Sequence, residues 1–96
     1  MIQRDGARMR ISGPVTLQNV TTVLREGMDL VRDGIAVVDL AGVSGLDSSL
    51  LAALLAWIRE ARTKSSALAV ENMPSGLTTL AQLYGVEDLL PTAGLH

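Results

Sequence analysis

Residues 38–60 read VDLAGVSGLDSSLLAALLAWIRE, and the two halves of this stretch follow different physical rules. Val38 to Leu40 complete the run IAVVDL, which begins at Ile35. It is continuously apolar up to Asp39 and of strand length, as suits a strand covered on both faces. A glycine-bearing loop is expected next, and then a helix opening on Asp47, Ser48 and Ser49. Leu50 to Ile58 are nine apolar residues in succession, and charge returns only at Arg59. A surface helix of a small soluble protein ordinarily alternates apolar and charged positions. The uncharged first half of this one must therefore face something other than water.

Upstream, ARMRISG alternates at Met9 and Ile11 and stops at Gly13-Pro14, as a strand entering a turn does. PVTL reads as a short second strand, paired with the first as a hairpin. From Asn19 to Arg32 the period becomes helical: Val20, Val23, Leu24, Gly27 and Val31 share one side. Arg25, Glu26, Asp29 and Arg32 share the other, and Asp33-Gly34 ends the helix with a left-handed cap. Downstream of the second helix, which spans Ser48 to Thr63, ALAVEN supplies a strand at 67–71. Pro74 and Ser75 then open a third helix with the stripe Leu77, Leu80, Ala81 and Tyr84, closed by Gly85. The order β-β-α-β-α-β-α predicts an α/β fold. About four strands form a small mixed sheet, with about three helices mainly on one side of it, joined by right-handed crossovers.

The composition bounds the function. Ninety-six residues make a single domain over 1–96, burying about 60–65% of its unfolded surface in one core. There is no cysteine, which favours a reducing compartment and excludes disulfides and thiolate metal sites. A net charge of −2 with one lysine, Lys64, argues against nucleic acid, which demands clustered cations. No apolar run reaches the roughly 18 residues of a spanning helix, and MIQRDGARMR lacks a secretory apolar stretch. The expectation is a cytosolic domain.

At 100° per residue, the core face of the second helix is expected at Leu51, Leu54, Leu55, Ile58 and Arg62. The opposite side then carries Ser49, Ala53, Ala56 and Glu60, flanked by Ala52 on one edge and by Leu50 and Trp57 on the other. Alanine's helix propensity explains part of this composition as plain scaffold. Leu50 and Trp57, both off the expected core face, favour a partner, and tryptophan is a common interface anchor. The candidate partner-binding residues are thus Asp47, Ser48, Ser49, Leu50, Ala52, Ala53, Ala56 and Trp57. Asp47 or Ser48 caps the helix, and no capping box follows, since the third residue after either is leucine. Free amides at the positive end of the helix would favour an anion, including a phosphate on Ser48 or Ser49.

VVDLAGVSGLDSSLLAALL resembles the strand, loop, Asp-Ser/Thr segment and helix of the STAS domain, the fold of bacterial anti-sigma-factor antagonists. TTLAQLYGVEDLLP is similar to the ending of the MlaB-type branch, the STAS subunits of Mla phospholipid-transport ABC systems. The resemblance runs from about Ile35 to Pro91. It implies a non-catalytic accessory subunit that binds an ABC transporter ATPase subunit of the MlaF type and needs no cofactor. Such subunits serve intermembrane lipid transport and outer-membrane lipid asymmetry. The subunit would meet the inner membrane only through the transporter complex, and homo-oligomerisation is open when it is isolated. By the same resemblance Ser48 carries the hydroxyl used in the ATPase contact, and Ser49 is the candidate phosphosite of an antagonist-like switch. Leu50 stands where the antagonists have glycine, so a bulky residue is expected to hinder a kinase there.

No chemistry of the chain's own stands out. The single histidine, His96, is the last residue, and nucleophile–base pairs cannot be assembled from what is present. Asp39 and Asp47 flank the expected loop, where a strand end and a helix cap are their simplest uses. No P-loop sequence occurs. With no phenylalanine, the large apolar residues are expected to be spent on packing rather than on a lipid cavity. A docking module is the leading expectation, a serine phosphoswitch the alternative, and an enzyme a distant third.

Overall fold

The structure, a computed structural model, describes residues 1–91; His96 lies outside the described residues. Four strands and three helices alternate as β1 (Ile2–Asp5), β2 (Arg8–Val15), α1 (Val20–Arg32), β3 (Val37–Leu46), α2 (Ser48–Thr63), β4 (Ala69–Glu71) and α3 (Ser75–Leu83). A single 3-10 turn, Glu87–Leu89, follows. The sheet order is β1-β2-β3-β4, with β1 antiparallel to β2 and the other pairs parallel. Two right-handed crossovers that advance in one direction across the sheet put both helices on the same face. The α1–α2 packing and the burial pattern agree with that.

The expected element order holds, while two strand assignments change. The hairpin is formed by β1 and β2, and PVTL is not a strand of its own, because Pro14 and Val15 end β2. The signal was Asp5-Gly6: Asp5 pairs with Arg8 across a two-residue turn in which Gly6 takes φ +63°. Positive φ there is why glycine follows aspartate.

The expected loop at 41–45 is also strand. β3 uses ten residues where β2 uses eight, and the register slips between Arg10 and Ser12 and again between Gly13 and Pro14. Each slip inserts one extra residue in β3, a bulge that breaks the alternation by which a strand is recognised. Gly42 sits at the first slip, where a Cβ would lie 3.1 Å from the Ile11 carbonyl oxygen and from Ser12 Cβ. A side chain would push the two strands apart.

Met9, Ile11 and Val15 of β2 and Val38 and Leu40 of β3 face the helices and are buried. Among the described residues no helix packs on the other face of the sheet, which is covered instead by its own charges. Arg8 pairs with Glu71 and lies 3.5 Å from Asp39, while Arg10 reaches Asp5 at 3.1 Å and Asp39 at 4.0 Å. β3 is therefore not covered by apolar layers on both sides, and Asp39 is the one polar residue in an otherwise continuous apolar run because it faces this ladder.

Val23, Gly27 and Val31 of α1 are buried as the periodicity predicts. Gly27 opens the space in which Trp57 of α2 lies: a Cβ there would stand 2.3 Å from Trp57 Cζ2. The indole N–H donates to the Leu24 carbonyl at 3.0 Å, so the ring is fully buried with its polar atom satisfied. At the far edge, the Val70 N–H of β4 donates to the Pro91 carbonyl at 2.8 Å, and Leu90 is buried. This closing segment protects an edge that would otherwise present open hydrogen-bonding groups.

Candidate functional site

The site is built where β3 hands over to α2. Asp47 has extended backbone angles and is the N-cap; its Oδ1 accepts from the Ser49 N–H at 2.8 Å. Its Oδ2 accepts from the Leu17 N–H at 3.0 Å, which ties the β2–α1 turn to the start of α2. That turn is closed by Asn19, whose Oδ1 accepts from Thr16 N–H and whose Nδ2 donates to the Pro14 carbonyl. The amide of Leu17, that of Ser49 and the Ser49 hydroxyl together hold the Asp47 carboxyl below its ordinary range. Leu50 N–H is taken by the Asp47 carbonyl at 3.2 Å. The start of α2 is thus served by a carboxylate of its own, and the open anion site expected from the sequence is filled from within.

Burial re-phases α2. Leu50, Leu51, Ala53, Leu54, Trp57, Ile58 and Ala61 are its buried residues. The core stripe is rotated by roughly 70° from the face centred on Leu51 to Arg62. Arg62 is exposed and Leu55 half-buried. Three of the candidate contact residues are therefore corrected: Leu50, Ala53 and Trp57 are 0%, 1% and 0% exposed and belong to this chain's own core. Trp57 fills the notch at Gly27 rather than anchoring a partner, and Leu50 points inward, so it raises no steric barrier to a kinase at Ser49.

What remains outside is a smaller, continuous face. Ser48 and Ala52 are exposed, Ser49, Leu55 and Ala56 half-buried, and Arg59 ends the stripe. Beside the cap, Leu17 is 78% exposed. Sequence reasoning missed Leu17, since an isolated leucine in a turn carries no periodic signal; the Asp47–Leu17 bond is what brings it to the site. An exposed leucine next to a serine–alanine surface, with no charge until Arg59, is suited to close approach by a protein.

Asp39 and Asp47 share no partner, so they form no acid–base pair. Asp39 Oδ1 accepts from Asn72 Nδ2 at 2.8 Å and from the Ala41 N–H at 3.0 Å. These bonds, Asn72's first, lower its carboxyl below the usual range against the opposing effect of burial, with Arg8 and Arg10 assisting. Among the described residues no group of three or more His, Cys, Asp or Glu side chains is placed to hold a metal. No helix among them is long and apolar enough to cross a membrane.

A family model described as "Mlab, STAS domain" matches residues 1–91. This chain belongs to the STAS domain family. Solved structures share the fold. The anti-sigma factor antagonist SpoIIAA in its unphosphorylated form superposes with a TM-score of 0.72 at 14% identity, over 98% of this chain and 87% of that one. SpoIIAA of Bacillus in its phosphorylated form gives 0.69 at 14% identity, over 98% and 90%. A Thermotoga maritima protein proposed to be an anti-sigma factor antagonist gives 0.76 at 10% identity, over 99% and 86%. At these identities the likeness is one of fold. A comparison with curated proteins gave no match.

Proposed function

We propose that this STAS domain is a non-catalytic docking subunit that binds and supports the ATPase of an Mla-type phospholipid ABC transporter, reaching the inner membrane only through that complex. The observation that carries the proposal is the uncharged outer face at the start of α2, Ser48, Ala52 and Ala56, set beside the exposed Leu17. The "Mlab" description of the matching family model favours the transporter over other STAS settings. Binding adds no bond-making step: the face excludes water over small side chains, while the Ser48 hydroxyl remains available for one hydrogen bond to the partner.

A second reading is a phosphoswitch at Ser49, favoured by the likeness in fold to a protein solved in both phosphorylated and unphosphorylated forms. Against it stands Asp47, whose carboxylate already accepts the Ser49 amide. A phosphate on Ser49 would meet that charge at close range. Titrating the purified ATPase subunit with wild type, Ser48→Ala and Ser49→Ala, with intact mass of protein from the native cell, separates the two. Docking predicts tight wild-type binding, a loss of about 0.5–1.5 kcal/mol for Ser48→Ala, and no phosphorylated species. A stoichiometric species about 80 Da heavier, absent in Ser49→Ala, would sink the docking-only proposal.

A further inference from the structure

The second half of α2 holds a hollow that shares Leu55 and Arg59 with the docking face and runs beyond it. Leu55, Ile58, Arg59 and Arg62 of α2 and Leu89 of the 3-10 turn line a shallow hollow of about 130 Å³. Its apolar floor is Ile58, its walls are the half-buried Leu55 and Leu89, which is 44% exposed, and its rim is two arginines. Arg4, Arg8, Arg10 and Arg32 each hold a carboxylate. Among the described residues, Arg25, Arg59, Arg62 and Lys64 hold none, and of these four Arg59 and Arg62 line the hollow. The acids next to the lining residues in sequence are otherwise engaged or unpaired with them: Glu60, beside Arg59, receives Arg32, and Glu87, near Leu89, receives Gln82, while Asp88 pairs with neither arginine. Two unneutralised cations around an apolar hollow call for a ligand that supplies both a hydrocarbon group and negative charge.

We infer that this hollow takes an apolar side chain flanked by a carboxylate, carried on an acidic segment of the partner protein that docks on α2. The site rests on the proposed docking function and extends it along the same helix, from Ala52 and Leu55 to Arg59 and Arg62. Its volume suits one side chain, whereas a lipid surface is normally recognised by about four to eight clustered cations. Rim charges of this kind act through on-rate and salt dependence as well as affinity.

The test uses the full chain and the purified ATPase subunit. The variants are Arg59→Gln/Arg62→Gln, Arg25→Gln as a cation control on α1, and Ala52→Arg as a control for the docking face. Circular dichroism and melting check that each is folded. The double variant is expected to bind about tenfold more weakly at low salt and to lose most of the wild type's salt dependence, with Arg25→Gln unchanged. If Ala52→Arg abolishes binding while the double variant binds like wild type, the docking proposal stands and the acidic-segment site is overturned. If the wild type does not bind the ATPase, both fall. Binding to phosphatidylglycerol vesicles lost in the double variant would assign the hollow to a membrane surface. A self-associated dimer dissolved by the same substitutions would assign it to a second copy. Either result overturns the inference.

Discussion

Gly27→Ala tests the contact that fixes how α2 is rotated. In an exposed helix interior, alanine in place of glycine stabilises by about 1 kcal/mol. Here the new methyl carbon would stand 2.3 Å from Trp57 Cζ2 and 2.4 Å from Cε2. A normal carbon–carbon contact is roughly 3.5–4.0 Å, so the ring must retreat by more than 1 Å. That ring is fully buried and pinned by its bond to the Leu24 carbonyl. Overpacking costs about 1–3 kcal/mol, and a buried indole N–H left without a partner adds about 1–3 kcal/mol. After the propensity gain, a net loss of roughly 1–5 kcal/mol is expected. A domain of this size melts about 4–8 °C lower per kcal/mol. Urea denaturation followed by Trp57, the only tryptophan, reports both the midpoint and the ring's environment. Gly76→Ala is the matched control, since a Cβ there meets only Leu46 Cδ1 at 3.9 Å. It should be neutral or stabilising by up to about 1 kcal/mol. A Gly27→Ala midpoint equal to or above wild type would refute the packing of α1 on α2 as described.

Leu54 is fully buried, so Leu54→Ala should cost about 2–5 kcal/mol by denaturant titration; a change below 1 kcal/mol would contradict its place in the core. Ala53→Arg, with the site 1% exposed, should abolish the cooperative melting transition, and a folded variant would restore Ala53 to the surface. The Asp39 carboxyl is depressed in the fold, so its contribution to stability is complete above the unfolded value near 3.8 and is lost as pH falls through the lower folded value. Melting temperature should therefore drop on acidification below about pH 4, less steeply in Asp39→Asn than in wild type. Equal slopes would remove Asp39 as a contributor.

The sequence was most legible where apolar and charged residues contrast. α1 carries charges on one side only, and its inward face was read correctly from Val23, Gly27 and Val31. α2 offers no such contrast from Leu50 to Ile58, and leucine positions alone place its core face roughly 70° away from where burial puts it. Gly27 held the missing information. A glycine on the inward face of a helix marks close approach by a bulky group, and Trp57 is the bulkiest residue in the chain. Placing the tryptophan there returns Leu50, Ala53 and Ala61 to the core and removes three candidate contacts from the site. β1 escaped notice because Gln3, Arg4 and Asp5 are polar, although Asp5-Gly6 marked its turn. The bulges of β3 hid its second half, since each extra residue shifts the alternation by one. Asp47 as helix cap was readable from residue type, whereas its second bond, to Leu17, joins positions thirty apart and needed the fold.

In the proposed function, the exposed face of α2 centred on Ala52 is where a protein partner docks. Calorimetric titration of the transporter ATPase subunit with wild type and Ala52→Arg tests it most directly. Ala52 lies outside the core, so the variant should melt within a few degrees of wild type and keep its circular dichroism spectrum. A long cation placed in a close-packed, uncharged contact should reduce affinity at least a hundredfold, about 2.7 kcal/mol. Such a loss in a fully folded variant is the predicted result. Undiminished binding by folded Ala52→Arg would contradict the claim and move the interface to another face of the domain.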